Sequence, residues 1–125
     1  DAYRQQQAEW LKGVVASDEF RAAPVRIVLI HMIPGKEDSW YGEQQIRKLF
    51  VPELVGKGID LMLCGHDHAY SFRPAGEQGT QFPIVVNDNK SYVRCDVADS
   101  LIRVQVVGLR EKVAHVHEFP LKRQF

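Results

Sequence analysis

Apolar residues first recur at helical spacing. Tyr3, Trp10, Leu11 and Val14 share one face, predicting a helix from Asp1, its N-cap, through about residue 16. Residues 17–24 lose that period and read as a connector. Val25-Arg26-Ile27-Val28-Leu29-Ile30 is β-branched and almost wholly apolar, the pattern of a strand covered on both faces. His31-Met32-Ile33-Pro34-Gly35 stops it and opens a loop. A second helix is predicted over about 42–55, with Ile46, Leu49, Phe50 and Leu54 on one face. Pro52 should kink or break it, and Gly56 and Gly58 close it, one of them as a left-handed cap. Ile59-Asp60-Leu61-Met62-Leu63-Cys64 is a second strand of the buried type and runs directly into Gly65-His66-Asp67-His68.

The order helix, strand, helix, strand predicts a parallel pair with crossover helices. Beyond it the pattern changes. The segment 71–82, with Pro74, Gly76 and Gly79, reads as a loop, and Pro83-Ile84-Val85-Val86 as a short apolar strand. Residues 91–97, 100–107 and 112–119 alternate, as in Val93/Cys95/Val97 and Ile102/Val104/Val106, which predicts an antiparallel meander of hairpins. The expected fold class is therefore α/β: helix-flanked parallel strands over residues 1–73, then β-hairpins over 74–125, forming one layered unit.

Composition narrows the function classes. Sixteen Lys+Arg balance sixteen Asp+Glu in 125 residues, and the two halves are equally balanced. No basic face or stripe is left over for nucleic acid. No apolar run approaches the roughly 20 residues of a membrane span, and the first residues lack the grading of a signal peptide. Cys64 and Cys95 fit no CxxC spacing and read as two buried, reduced thiols. The closing Leu121-Lys122-Arg123-Gln124-Phe125 reads as a solvated, frayed end.

The chemistry lies in the histidines. His31 directly follows one predicted strand, and His66 and His68 follow the other through Gly65. In an open α/β sheet ligands gather beyond the carboxyl ends of the strands, so neighbouring strands would bring all three imidazoles together. Gly65 is the expected point of a sharp turn off the strand. Imidazoles one residue apart in a loop can serve two adjacent ions, and neutral imidazole suits zinc, iron and similar metals. Asp67 reads chiefly as a solvated carboxylate. His115 and His117, with Val113 and Phe119, read as one partly covered face of a strand rather than a metal pair. Trp40 and Tyr41, in the loop from Met32 to Gly42, either wall a substrate or pack the start of a helix.

Val28-Leu29-Ile30-His31 resembles the VxxH motif, and Gly65-His66-Asp67-His68-Ala69-Tyr70 the GHxH(AY) motif, of calcineurin-like metallophosphoesterases. The nearer likeness is to the purple acid phosphatase type. It covers residues 1–73 well and the hairpins in outline, and implies half of that family's β-sandwich. The resemblance also implies that His31 and His66 bind one metal and His68 its neighbour. Such paired divalent or trivalent ions (Fe, Zn, Mn or similar) sit about 3.5–4 Å apart and clamp a phosphate ester for in-line attack. No side chain of this chain receives a catalytic role from the resemblance.

The family's other ligands come from DxH or DxG, GDxx and GNH(E/D) motifs upstream of VxxH, and none occurs here. The expectation is a C-terminal portion of a metal-dependent phosphohydrolase, inert alone. An uncovered sheet edge would favour self-association. Two alternatives stand beside it: a non-catalytic binding domain that keeps the fold, and a mononuclear hydrolase with all three histidines on one zinc.

Overall fold

A computed structural model describes residues 2–35 and 39–121. The expected N-cap Asp1, the centre of the 32–42 loop and the terminal residues 122–125 lie outside the described residues. The elements in chain order are α1 (Ala2–Val15), α2 (Asp18–Ala22), β1 (Ile27–Leu29), α3 (Tyr41–Leu49), α4 (Val51–Leu54), β2 (Leu61–Cys64), β3 (Ser71–Arg73), β4 (Ile84–Val86), β5 (Tyr92–Val97), β6 (Leu101–Val107) and β7 (Val113–Pro120). No helix among the described residues is long and apolar enough to cross a membrane.

The strands form two sheets. The first has the order β1-β2-β4-β3. β1, β2 and β4 run parallel, with Ile27 opposite Leu61 and Met62 opposite Ile84, and β3 is antiparallel to β4. The second is the predicted meander, β5-β6-β7, antiparallel throughout. Three layers result. Met62, Cys64, Ile84 and Val86 meet Val15, Leu54 and Phe82 on the helical side. On the other face Leu61 and Val85 pack with Ile102, Val104 and Val106 of the second sheet. The unbroken apolar run of β2 is thus explained, because alternate side chains enter two different cores.

Several local expectations change. Residues 17–24 are not a plain connector. Ser17 caps α2 by accepting from the Phe20 N–H at 3.2 Å, and the Arg26 guanidinium donates to the carbonyls of Phe20 (3.0 Å) and Arg21 (2.8 Å). Helix-end acceptors are thereby satisfied by a residue outside the helix. The predicted long helix is two, divided at Phe50, with Pro52 in the first turn of the second. Gly56 and Gly58 both take left-handed conformations, at φ 78° and 71°.

β1 is not covered on both faces. It is an edge strand that the second sheet does not reach, so Leu29 is 76% exposed while Val28 turns inward. The presumed loop 71–82 contains β3, which pairs Ser71 with Val86 and Arg73 with Ile84. The first sheet therefore continues past residue 73 into β4. In β7 the register shifts between Val106, opposite His115, and Val107, opposite Val113. This bulge takes Val113 out of the expected alternation, and it is exposed like Ala114, while His115, His117 and Phe119 stay half-buried. Both thiols are free; Cys64 is buried and Cys95 half-buried.

Candidate metal centre

The site forms where β1 and β2 end. Their pairing outlasts the strands: the Ile30 N–H donates to the Leu63 carbonyl at 3.1 Å and the Gly65 N–H to the His31 carbonyl at 3.0 Å. His31 and the loop after β2 are thereby held side by side. The sharp turn does not fall on Gly65. His66 (φ 71°) and His68 (φ 60°) occupy the left-handed region instead, and the Asp67 N–H reaches back to the Gly65 carbonyl at 2.9 Å. Left-handed non-glycine residues cost on the order of 1 kcal/mol or more each and persist where their surroundings fix them.

His66 Nδ1 lies 3.0 Å from His31 Nε2, the rings meeting edge-on at 80° with centroids 4.9 Å apart. One proton shared between two ring nitrogens accounts for this contact. A cation can take the proton's place. Two nitrogens about 2.0–2.1 Å from a tetrahedral zinc stand about 3.3–3.4 Å apart, so a few tenths of an ångström of opening converts the hydrogen bond into a shared ligand pair.

A carboxylate that sequence reading missed completes the group. Glu43, His66 and Asp67 each offer a ligand atom, all within 4.8 Å of one another, and this is the only such group among the described residues. Neither His31 nor His68 belongs to it. His31 joins through its contact with His66, and His68 is exposed to solvent. The sequence reading of Asp67 as chiefly solvated is half right, since it is exposed yet placed beside two other donors. A set of imidazole nitrogen and carboxylate oxygen suits zinc and comparable first-row ions.

Glu43 is seated by crowding. It occupies the first turn of α3. A Cβ on Gly35 would stand 2.7 Å from Glu43 Cβ and 2.0 Å from Ser39 Oγ, so only glycine lets the end of the β1 loop approach α3. The Gly35 N–H donates to the Glu43 carbonyl at 3.0 Å. Beneath the site, Arg73 donates to the Pro34 carbonyl at 2.9 Å and Arg47 to the Gly35 carbonyl. Burial, and after it the nearby Arg47 charge, push the Arg73 guanidinium below its ordinary value. Burial pushes the neighbouring Cys64 thiol up to about 12, against an opposing pull from Arg73, and Cys64 packs in the core on the helical side of the sheet. The signal that could have found Glu43 was an acidic residue in the first helical turn after a loop that leaves the carboxyl end of a strand.

Trp40 forms one wall. Its indole stacks on the His66 ring at 5.4 Å and 15° while remaining 59% exposed.

No family model matches this chain, and no curated protein matches it. Solved structures resemble it in part. One of them is the crystal structure of a conserved uncharacterized protein from Streptococcus pneumoniae TIGR4, described as a predicted phosphoesterase. The superposition has a TM-score of 0.43 at 18% identity and covers 62% of this chain and 47% of that one. The chain therefore spans about half the length of the protein it resembles.

Proposed function

We propose that this chain supplies the histidine-bearing part of a metal centre that hydrolyses phosphate esters. The observation that carries the reading is the pairing of His31 with His66 at 3.0 Å, from the carboxyl ends of two parallel neighbours. Glu43 and Asp67 place two carboxylates beside them, and the VxxH and GHxH patterns lie on these same residues. His31, His66, Glu43 and Asp67 would hold one ion, and His68 would face its neighbour. When bound, such ions polarise phosphoryl oxygens and make water acidic enough to attack at neutral pH. The chain's own residues then bind and orient: the imidazoles fix the cations, and Trp40 excludes water from one side. The remaining carboxylate ligands of the family pattern are not among these 125 residues, so this chain by itself is expected to turn over little.

The test pairs metal analysis with a phosphomonoester and a phosphodiester assay, on this chain and on the full-length gene product. The expected result is metal-dependent turnover in the full product, lost with metal in His31→Ala and His66→Asn. Retained activity in either variant overturns the site, and rapid turnover by this chain alone overturns the shared centre. A second reading has its own observation, the compact Glu43–His66–Asp67 group, which would hold a single ion. Metal stoichiometry in the active product separates one ion from two.

A further inference from the structure

His115 and His117 lie far from His66 in sequence, yet the fold connects them to its loop. On β7 they stand opposite Val106 and Val104 of β6. What covers them is Tyr70, two residues beyond His68. The Tyr70 ring lies on the His115 ring at 3.5 Å and 4°, and the Tyr70 hydroxyl is 2.5 Å from His117 Nε2. His117 in turn stacks on Phe72 of β3 at 4.3 Å and 24°. The loop of residues 65–70 thus has two anchors. One is the Gly65 N–H on the His31 carbonyl, and the other is Tyr70 on the second sheet. Between the anchors lie the left-handed His66 and His68. Such backbone states are retained only where surrounding structure fixes them.

We propose that His117 is a positioning residue, which acts through the Tyr70 hydroxyl to hold the His66–His68 loop in its ligand geometry. The proposal rests on the reading of that loop as metal-binding. Three features support it. The hydrogen bond joins two sheets at the one residue linking the loop to β3. The hydroxyl and the ring nitrogen are in direct contact, at a separation short for a hydrogen bond. Burial and the neighbouring His115 hold His117 below the ordinary imidazole value, leaving it neutral and its Nε2 free to accept from the phenol.

The experiment compares His117→Phe, which can still stack on Phe72, with His117→Gln, which restores a hydrogen-bonding group, and Tyr70→Phe, which removes only the hydroxyl. Two quantities are read: amide hydrogen exchange at Gly65 and Asp67, and the dissociation constant for zinc. His117→Phe and Tyr70→Phe should speed exchange at Asp67 and weaken zinc binding, each about tenfold or more. Exchange in β5 and β6 should stay unchanged, and His117→Gln should recover most of the loss. Exchange and affinity unmoved in both variants overturn the proposal. Losses spread evenly over the fold, without rescue by glutamine, also overturn it, since they mark a merely structural role. His66→Asn serves as the reference: zinc lost there but kept in His117→Phe refutes positioning alone. Zinc that never binds, with Asp67 exchange still responding to His117→Phe, refutes the metal reading and leaves the loop anchor standing.

Discussion

Replacing His66 by asparagine tests the centre most directly. Asparagine tolerates the left-handed φ of 71° that His66 adopts, so the variant removes the imidazole without adding backbone strain. A tetrahedral zinc site contributes about 10–16 kcal/mol over four ligands, hence about 3 kcal/mol for one donor, which is about 100-fold in affinity. The assay is the thermal unfolding midpoint with and without zinc. Zinc at 100 times the wild-type dissociation constant stabilises the folded state by about 2.7 kcal/mol. A chain of 125 residues has an unfolding entropy of about 0.26 kcal/mol/K, so the wild-type midpoint should rise by about 10 °C. At the same zinc concentration the variant sits at its own dissociation constant, gains only about 0.4 kcal/mol, and rises by less than about 2 °C. His68→Asn should keep most of the shift, because His68 lies outside the Glu43–His66–Asp67 group. A full 10 °C rise in His66→Asn would remove His66 from the ligand set and with it the proposed centre.

Gly35→Ala should cost about 1–3 kcal/mol in urea denaturation and weaken zinc about tenfold, because the new Cβ meets Glu43 Cβ at 2.7 Å; unchanged zinc affinity would show that Glu43 is no ligand. Leu61→Ala, at a fully buried position between the two sheets, should lose about 2–5 kcal/mol, and a loss below about 1 kcal/mol would contradict their face-to-face packing. His117 is held below its ordinary 6.5, first by burial and then by His115. Its contribution is complete above that value and declines as pH falls through it, because the unfolded chain takes up the proton first; the fall in unfolding midpoint between about pH 7 and 5 should be shallower in His117→Phe, and an equal slope refutes the assignment. The exposed edge at Leu29 should make sedimentation concentration-dependent, and Leu29→Lys should abolish this; a clean wild-type monomer at high concentration removes the expectation.

What the pattern revealed and what it concealed divide along the range of the interactions. The break at Pro52 was legible because proline acts within its own turn. β2 and the meander were legible because burial repeats along each strand. β3 was concealed because Ser71-Phe72-Arg73 has a single apolar residue, and only pairing with β4 makes it a strand. α2 was concealed because the guanidinium that satisfies its end comes from Arg26, beyond the helix. The site follows the same rule. The meeting of His31 and His66 was legible from strand ends alone, whereas the approach of Glu43 depends on how closely Gly35 lets α3 return. Gly65 misled, since the left-handed residues are the histidines themselves.

The balanced charge of the whole chain conceals a local separation that bears on the chemistry. Arg47 and Arg73 are engaged below the site with the carbonyls of Gly35 and Pro34, while Glu43 and Asp67 stand among the ligand atoms. Two carboxylates cancel one divalent cation. On the proposed reading, the two carboxylates would balance the charge of a single divalent ion held by this group, and the Arg73 guanidinium lies near enough to Glu43 to interact with it electrostatically. On the same reading His68 is the donor on this loop not taken up by the first group, and a second ion there would add positive charge for an anionic substrate. The expected signature of a second ion is that His68→Asn weakens substrate binding more than it weakens the first ion, and equal effects on both would remove His68 from that role.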